Sequence, residues 1–593
     1  MAKQKRAEPS PPNSGLLGSR ELIVIAKHDA GIRAHPTGVS SIHAVDYSSL
    51  EKLLSDNEVT MTPLFGMSED SLLKEIMAQS PSAVEEDIKM HLFYQVDAPD
   101  EQLDNLCEKF LQNELIEGAY VRPTPELPVL NEIYEHTAEP LIQTAPIPET
   151  PATPPLLESR QGYLNAAPEG VDARYAWTLS GGRGNCVRII DIEGGWRFTH
   201  MDLRQNQGGV LAGSNSLNDH GTAVLGEYSS DRNSFGITGI CDLAWAGAVS
   251  HSIGVARAIM TAADKLRAGD IMLLEMHAPG PRYNYQSRAD QLGYIAMEWW
   301  PDIYLAVRYA TDKGVIVVSA AGNGAENLLD SQYDKKPPGF PSWWRNPFRR
   351  NPLDSGSILV GAGAPPPGTH GRTIHGPDRS RLAFSNYGSC VDAQGWGREV
   401  TTSGYGDLWT DPDDRNNQDR RYTDVFSGTS SASPIVVGAI GCLQGYLISR
   451  YQRNLSSLPL GPRSARQLLR NTGSPQQSAP GRPRTQRIGN RPNLRQMIGT
   501  APRPQLVRMG SEIDQCSSTL YVRDRDNRIV RIPRGQWKWV LVAIDSNGYW
   551  RWRCGTSWER SRGVSSFRNR VKLLHVYHSN TSRQITWWCY DIR

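Results

Sequence analysis

Two adjacent serines, Ser430 and Ser431, stand in FSGTSSASPIVVGAI between a Gly-Thr turn and an apolar, proline-containing run that predicts a buried helix. Hydroxyls at a helix start ordinarily cap it, because the side-chain oxygen accepts from a backbone N–H with no helical partner. The other chemistry open to such a serine is nucleophilic attack. A hydroxyl is weak in that role and needs a base to take its proton and a third group to orient the base. His220, in NDHGTAVLGEY, precedes Gly-Thr and a helical run, and Asp191, in VRIIDIEGGW, ends a strand-like run. Taken singly, each has an ordinary use as a cap, turn or hydrogen-bonded group. Catalytic groups of open α/β sheets collect at the carboxyl ends of strands, which is where Asp191 is expected.

The elements that must position these residues follow from periodicity. VRIIDI (187–192), DIMLLEM (270–276) and VIVVSAA (315–321) are apolar runs separated by helical segments, as a buried parallel sheet requires. A doubly wound α/β domain is therefore expected over residues 161–500, with LRQMI as a short closing helix. Before it, residues 1–18 form a polar tail. Residues 19–123 read β, α, β, α, β, with strands at 21–27, 91–97 and 116–123, and predict a small α+β sandwich. Residues 124–160 are dense in proline, which favours a linker or processing segment. Residues 501–593 carry short aromatic and β-branched runs such as WKWVLVAI and RQITWWCY and predict an all-β module.

IID ending at Asp191, HGTxVxG at 220–226, SAAGNG at 319–324 and GTSxASP at 428–434 occur in the order found in subtilisin-like serine peptidases, and this chain resembles that family over roughly residues 161–500. The Asp, His, Ser order separates it from chymotrypsin-like and α/β-hydrolase arrangements. The resemblance implies a doubly wound, mostly parallel sheet of subtilisin type and a serine endopeptidase acting through an acyl-enzyme. It further implies Ser430 as nucleophile, His220 as base, Asp191 as the orienting carboxylate and Asn323 as oxyanion donor, with Ala321 and Gly322 in the substrate-binding wall and Ser431 structural. The sandwich at 19–123 resembles the family's propeptide, which would block the cleft as an added strand. Ser159-Arg160 followed by Gln161 is then a candidate maturation site. Two departures stand out. Ile192 and Glu193 replace the hydroxyl residue and glycine that usually follow the aspartate. Glu275 stands where a small Ser-Leu-Gly run is usual; it either favours Lys or Arg before the cleaved bond or pairs with an internal basic group, and both readings stay open.

The 593 residues are 39% hydrophobic and 21% charged with net charge +2, an ordinary globular composition that points to several domains. From Val425 to Ser511 there is no Asp or Glu, and from Arg503 onward seventeen Lys or Arg face seven Asp or Glu. The bland reading is a solvated basic face. A carbohydrate or protein ligand is favoured over nucleic acid for the C-terminal module. A polypeptide substrate is the expected partner, and the rival classes are a non-catalytic peptide-binding scaffold and a nucleic-acid-targeted effector. No cofactor is required; members of the family often bind calcium, but no contiguous carboxylate loop assigns a site. Eight scattered cysteines without a CxxC pair, the lack of a secretory-type N-terminus and the lack of an apolar run judged long enough for a bilayer together favour a cytoplasmic location. A disulfide among Cys516, Cys554 and Cys589 is the alternative if the protein is exported.

Overall fold

The computed structural model describes residues 20–79, 89–129, 153–451 and 460–501, together with eight strands between Gln505 and Tyr590. At its centre is a seven-stranded parallel sheet. Its spatial order is Gln207–Ala212, Trp245–Ser250, Arg188–Glu193, Ile271–Leu274, Ile316–Ala320, Ile358–Gly363 and Val391–Trp396. The chain begins this sheet at Arg188–Glu193, goes to the edge strand Gln207–Ala212, fills the gap with Trp245–Ser250 and then builds outward on the other side. The reversal falls between Arg188–Glu193 and Ile271–Leu274, where Leu273 lies opposite Asp191. Such switch points open a crevice at the carboxyl ends of the strands.

Helices cover both faces. Thr429–Tyr451 runs through the middle of one apolar cluster, with Ile435, Val436, Ala439 and Leu443 fully buried. By length and composition the stretch Thr429–Arg450 could cross a membrane, with mean hydropathy 1.5, contrary to the expectation that no run was long enough. In this protein, 94% of the most apolar window is buried inside the fold, so the run is accounted for as a core helix. Pro434 inside it lacks the N–H that would bond the Ser430 carbonyl. On the other face, Val255–Lys265 and Pro301–Asp312 pack together.

The N-terminal region is a four-stranded antiparallel sheet, ordered Thr60–Pro63, Phe93–Asp97, Glu21–Ala26, Ile116–Arg122. The expected β, α, β, α, β elements are present. An additional hairpin (Ile32–His35 with Gly38–Ser41), the helix Ser48–Asp56 and the edge strand Thr60–Pro63 were not read from the sequence. This region shares one apolar cluster with the two helices, bringing Ile23, Phe65, Phe93 and Tyr120 together with Ile259, Ala262, Trp299 and Ile303. Tyr120 donates a 2.8 Å hydrogen bond to Asp302 Oδ1, and the buried Arg122 bridges Glu21 and Asp302. Strand Ile116–Arg122 therefore delivers the following residues to the crevice.

The C-terminal strands form two four-stranded antiparallel sheets, Trp537–Val542, Gln505–Gly510, Gln584–Tyr590, Val571–Tyr577 and Ile529–Ile532, Leu520–Arg523, Tyr549–Cys554, Glu559–Arg562. The expected all-β module is thus present as strands. Its ligand surface and the Cys516, Cys554, Cys589 pairing rest on side chains outside the described residues.

Candidate active site

The strand Arg188–Glu193 places Asp191 and Glu193 two residues apart, so their side chains leave the same face of the sheet. Both are fully buried. His220 occupies the first turn of helix Asp219–Ser229, whose start is capped by Asn218 accepting from the Gly221 N–H at 3.1 Å. The helix aims the imidazole back at the strand end, where His220 Nδ1 meets Glu193 Oε2 at 2.6 Å. The resemblance puts Asp191 in that position. The group on the imidazole is Glu193, one strand period further on, while Asp191 Oδ2 accepts from the Trp196 indole N–H at 2.6 Å. The Trp196 indole donates where the family's hydroxyl residue is missing. Gly221 makes the approach sterically feasible, because a Cβ there would lie 2.5 Å from Glu193 Oε1 and 2.3 Å from the Gly195 carbonyl.

Ser430 begins the buried helix, with Gly428 at φ +105° forming the turn before it. Its hydroxyl donates at 2.9 Å to the backbone carbonyl of Pro128, and His220 Nε2 is buried without a hydrogen-bond partner among the described residues. Ser431 Oγ donates to the Trp396 carbonyl at 2.9 Å, a structural role as expected from its position. Asn323 is fully buried, and its Oδ1 accepts from the Thr429 N–H and hydroxyl, each at 3.0 Å. Its Nδ2 donates to Gln291 Oε1 at 3.1 Å.

Of the two sequence readings of Glu275, the internal basic partner is not found among the described residues. Glu275 is fully buried, and its Oε1 accepts from the Ser433 hydroxyl. Glu275 directly follows the strand Ile271–Leu274, which brings its carboxyl to Ser433 near the start of the buried helix. Glu227, on the same helix as His220, is also fully buried, with neither oxygen hydrogen-bonded among the described residues. Ala321 and Gly322 are held from behind: the Ala321 N–H donates to Val360, and Asn386 donates to the Ala321 carbonyl and to that of Gly322.

Burial dominates the electrostatics. It pushes Asp191 well above the usual carboxylate range, and the charge of Glu193 pushes the same way. Burial likewise raises Glu193, Glu275 and Glu227, and it lowers the His220 imidazole to about 3. Charged forms lose solvation here, so the groups hold as few charges as they can.

The crevice holds a length of the chain itself. Glu126 pairs with His277 as an isolated antiparallel bridge, its N–H donating at 2.8 Å and its carbonyl accepting at 3.1 Å. Gln291 Nε2 donates to the Leu127 carbonyl at 2.9 Å, and the Glu126 carboxylate accepts from Tyr294 at 2.8 Å and from Ser287 at 2.5 Å. Gln291, Tyr294, Ser287 and Trp196 were not singled out in the sequence. Arg160, by contrast, is far from a free cleavage loop. Its guanidinium pairs with Asp424, and the next residue, Gln161, is fully buried with its side chain bonded to Tyr163 and to both backbone groups of Thr238. The Ser159-Arg160 segment is built into the domain. Among the described residues no cluster of three or more His, Cys, Asp or Glu could hold a metal ion.

The family model described as Subtilase family (Peptidase S8) matches residues 204–499. That span holds His220, Glu275, Asn323 and Ser430 and leaves out Asp191 and Glu193. The chain is 23% identical over 331 residues to an intracellular serine protease of Paenibacillus polymyxa, covering 53% of this chain and 82% of the relative. It is 25% identical over 315 residues to thermitase of Thermoactinomyces vulgaris, covering 49% and 84% respectively. Among solved structures it is similar to the epidermin leader peptide processing serine protease of Staphylococcus aureus, at 16% identity and TM-score 0.45, over 82% of this chain and 99% of that one. Residues 204–499 are thus a subtilase-family domain, similar along its length to known serine proteases.

Proposed function

We propose that the chain is a serine endopeptidase whose N-terminal region serves as an attached inhibitor. Ser430 is the nucleophile, His220 the base and Glu193 the group that holds the imidazole. Asn323 Nδ2 and the Ser430 N–H are the oxyanion donors. The observation that carries the reading is the path of residues 126–129: a main chain pairs with His277 as an added strand and ends with a carbonyl 2.9 Å from Ser430 Oγ. A peptide substrate needs that same geometry, with backbone pairing on the edge and a carbonyl on the nucleophile.

In the occupied cleft the Ser430 hydroxyl is spent on Pro128. Once a substrate replaces the segment, Oγ attacks its carbonyl carbon while His220 Nε2 takes the hydroxyl proton. The oxyanion is received by Asn323 Nδ2 and the Ser430 N–H. The proton then passes from Nε2 to the leaving amine, the C–N bond breaks, and water deprotonated by the same nitrogen cleaves the acyl-enzyme. Asn323 Nδ2 must leave Gln291 to do this, and Gln291 also holds the Leu127 carbonyl, so clearing the cleft frees both.

The test is a serine-directed fluorophosphonate on the full chain, with N-terminal sequencing alongside. Labelling of wild type and none of S430A is expected, together with a new N-terminus at Val129 that S430A lacks. No labelling of wild type in any form of the chain would end the enzyme reading. Labelling at full rate with the N-terminus intact would end the inhibitor reading alone.

A further inference from the structure

Two buried carboxyls side by side cannot both carry a charge cheaply when no cation is near. Asp191 and Glu193 are such a pair. Each has one oxygen engaged by an outside partner: Asp191 Oδ2 by the Trp196 indole N–H, and Glu193 Oε2 by His220 Nδ1, both at 2.6 Å. Their other oxygens, Asp191 Oδ1 and Glu193 Oε1, are buried, and no N–H or O–H reaches either among the described residues. A proton between the two carboxyls, which leave the same face of one strand two residues apart, satisfies both oxygens at once.

The other ionisable neighbours do not change the balance. Glu275 adds a further acid, and the Tyr228 hydroxyl is held protonated by burial. None of the charged groups acting most strongly on Asp191 is a Lys or Arg. Which carboxyl keeps the proton is decided by the outer partners. His220 Nδ1–H donates to Glu193 and becomes a cation during the reaction, so the negative charge is worth most on Glu193.

We propose that Asp191 and Glu193 share one proton, so that Glu193 carries the charge that faces His220 and Asp191 stands behind it as a neutral donor to Glu193 Oε1. Asp191 is then a positioning residue rather than the orienting carboxylate. During attack the proton from Ser430 Oγ goes to His220 Nε2, the new positive charge lies across Nδ1–H from Glu193, and the proton between the carboxyls stays where it is. The proposal rests on the serine-peptidase reading and adds to it which residue supplies the charge.

The experiment measures kcat/KM on fluorescein-labelled casein against pH for wild type, E193Q, D191N and D191A, with thermal melts to establish folding and N-terminal sequencing so that like forms are compared. E193Q should lose about 10⁴-fold, the scale of neutralising the orienting carboxylate in a triad. Its residual activity should have a lowered acid limb, because a negative charge beside the imidazolium is gone. D191N preserves a neutral group that donates to Glu193 and accepts from Trp196, so it should lose tenfold at most and leave the acid limb in place. D191A, which strips Glu193 Oε1 of its partner, should lose more than D191N. The reverse pattern, with D191N inactive or shifted in its acid limb while E193Q survives, would place the charge on Asp191 and overturn the proposal. So would equal losses in D191N and E193Q. A wild type that no fluorophosphonate labels would instead overturn the peptidase reading beneath it.

Discussion

Two groups of buried carboxyls in this chain have met the same problem in opposite ways. Asp392, at the start of strand Val391–Trp396, is as deeply buried as Asp191. Arg350 clamps both its oxygens, at 2.7 and 2.6 Å, and Arg470 adds a third contact at 2.7 Å. Nearby, Asp354 is gripped by Arg466 at 2.8 and 2.5 Å. Burial would push Asp392 and Asp354 up, but the guanidinium charges outweigh it and both are held below the usual carboxylate range. At the crevice, Asp191, Glu193, Glu275 and Glu227 have no such partner, and burial raises all four. The arginine-clamped set fixes charge where the fold needs a rigid joint. The crevice set leaves its charge free to follow a proton, which is what a site that moves protons requires.

That division can be broken in either direction. S430A should abolish peptidase activity by about 10⁶-fold and leave the melting temperature close to that of wild type, because the lost hydroxyl's 2.9 Å hydrogen bond is to the Pro128 carbonyl of the segment in the cleft. D392N should do the converse. It leaves Arg350 and Arg470 facing a neutral amide, and breaking a buried pair costs about 3–5 kcal/mol. Denaturant unfolding should show that loss, while kcat of the folded fraction stays near wild type. If D392N instead lowered kcat at unchanged stability, the two sets would not be the separate devices described here.

Asn323 sharpens the boundary, since it both holds the helix start at Thr429 and is the proposed oxyanion donor. N323A should cost about 10²–10³ in kcat, the loss of one oxyanion donor. It should also cost some stability, because the Thr429 N–H and hydroxyl lose their acceptor. A loss of stability with kcat intact would remove Asn323 from the oxyanion role.

The pH dependence separates the groups without touching the nucleophile. Glu275 titrates above its ordinary range in the folded chain, so the folded state holds its proton longer than the unfolded one. Its contribution to stability is full below the ordinary carboxylate range and falls as pH rises through the folded value. E275Q keeps a neutral side chain at every pH and should therefore match wild type near pH 4 and melt higher than wild type at pH 7 to 8. His220 and His277, both lowered to about 3, work with the opposite sign. They stabilise the fold above the ordinary histidine value and lose that contribution as pH falls toward 3. A wild-type-like melting profile for E275Q across that range would mean Glu275 is solvated or paired after all.

How much of this was legible in the sequence differs by residue. The motifs carried His220, Asn323 and Ser430 to one crevice because backbone turns and helix starts impose local spacing that a sequence preserves. The Asp191-x-Glu193 spacing was visible as well, yet it read as a departure, since a motif says which residue usually faces the histidine and not which is one period closer. Trp196, Gln291 and Tyr294 were invisible because their roles depend on contacts between segments that no local pattern links. The Pro-rich stretch hid two opposite fates. Leu157–Gln161 is woven into the domain while Glu126–Val129 fills the cleft, and proline density, which reports only a preference for extended chain, is compatible with either.

Glu126 offers the smallest effect and the finest test of that last contrast. Its carboxylate is anchored by Tyr294 and Ser287, and its backbone by His277. E126A removes the side-chain anchors and keeps the backbone pair, so the segment should be loosened by roughly 1–3 kcal/mol, the cost of leaving a buried hydroxyl unsatisfied. Because the segment and a substrate compete for one edge, fluorophosphonate labelling of the unprocessed chain should speed up by the factor that energy sets, about 5- to 150-fold, while kcat of the processed enzyme does not change. R160A, which disturbs only the stretch woven into the domain, should leave the labelling rate alone. If R160A accelerated labelling and E126A did not, the inhibitory contact would lie in the wrong half of the proline-rich stretch.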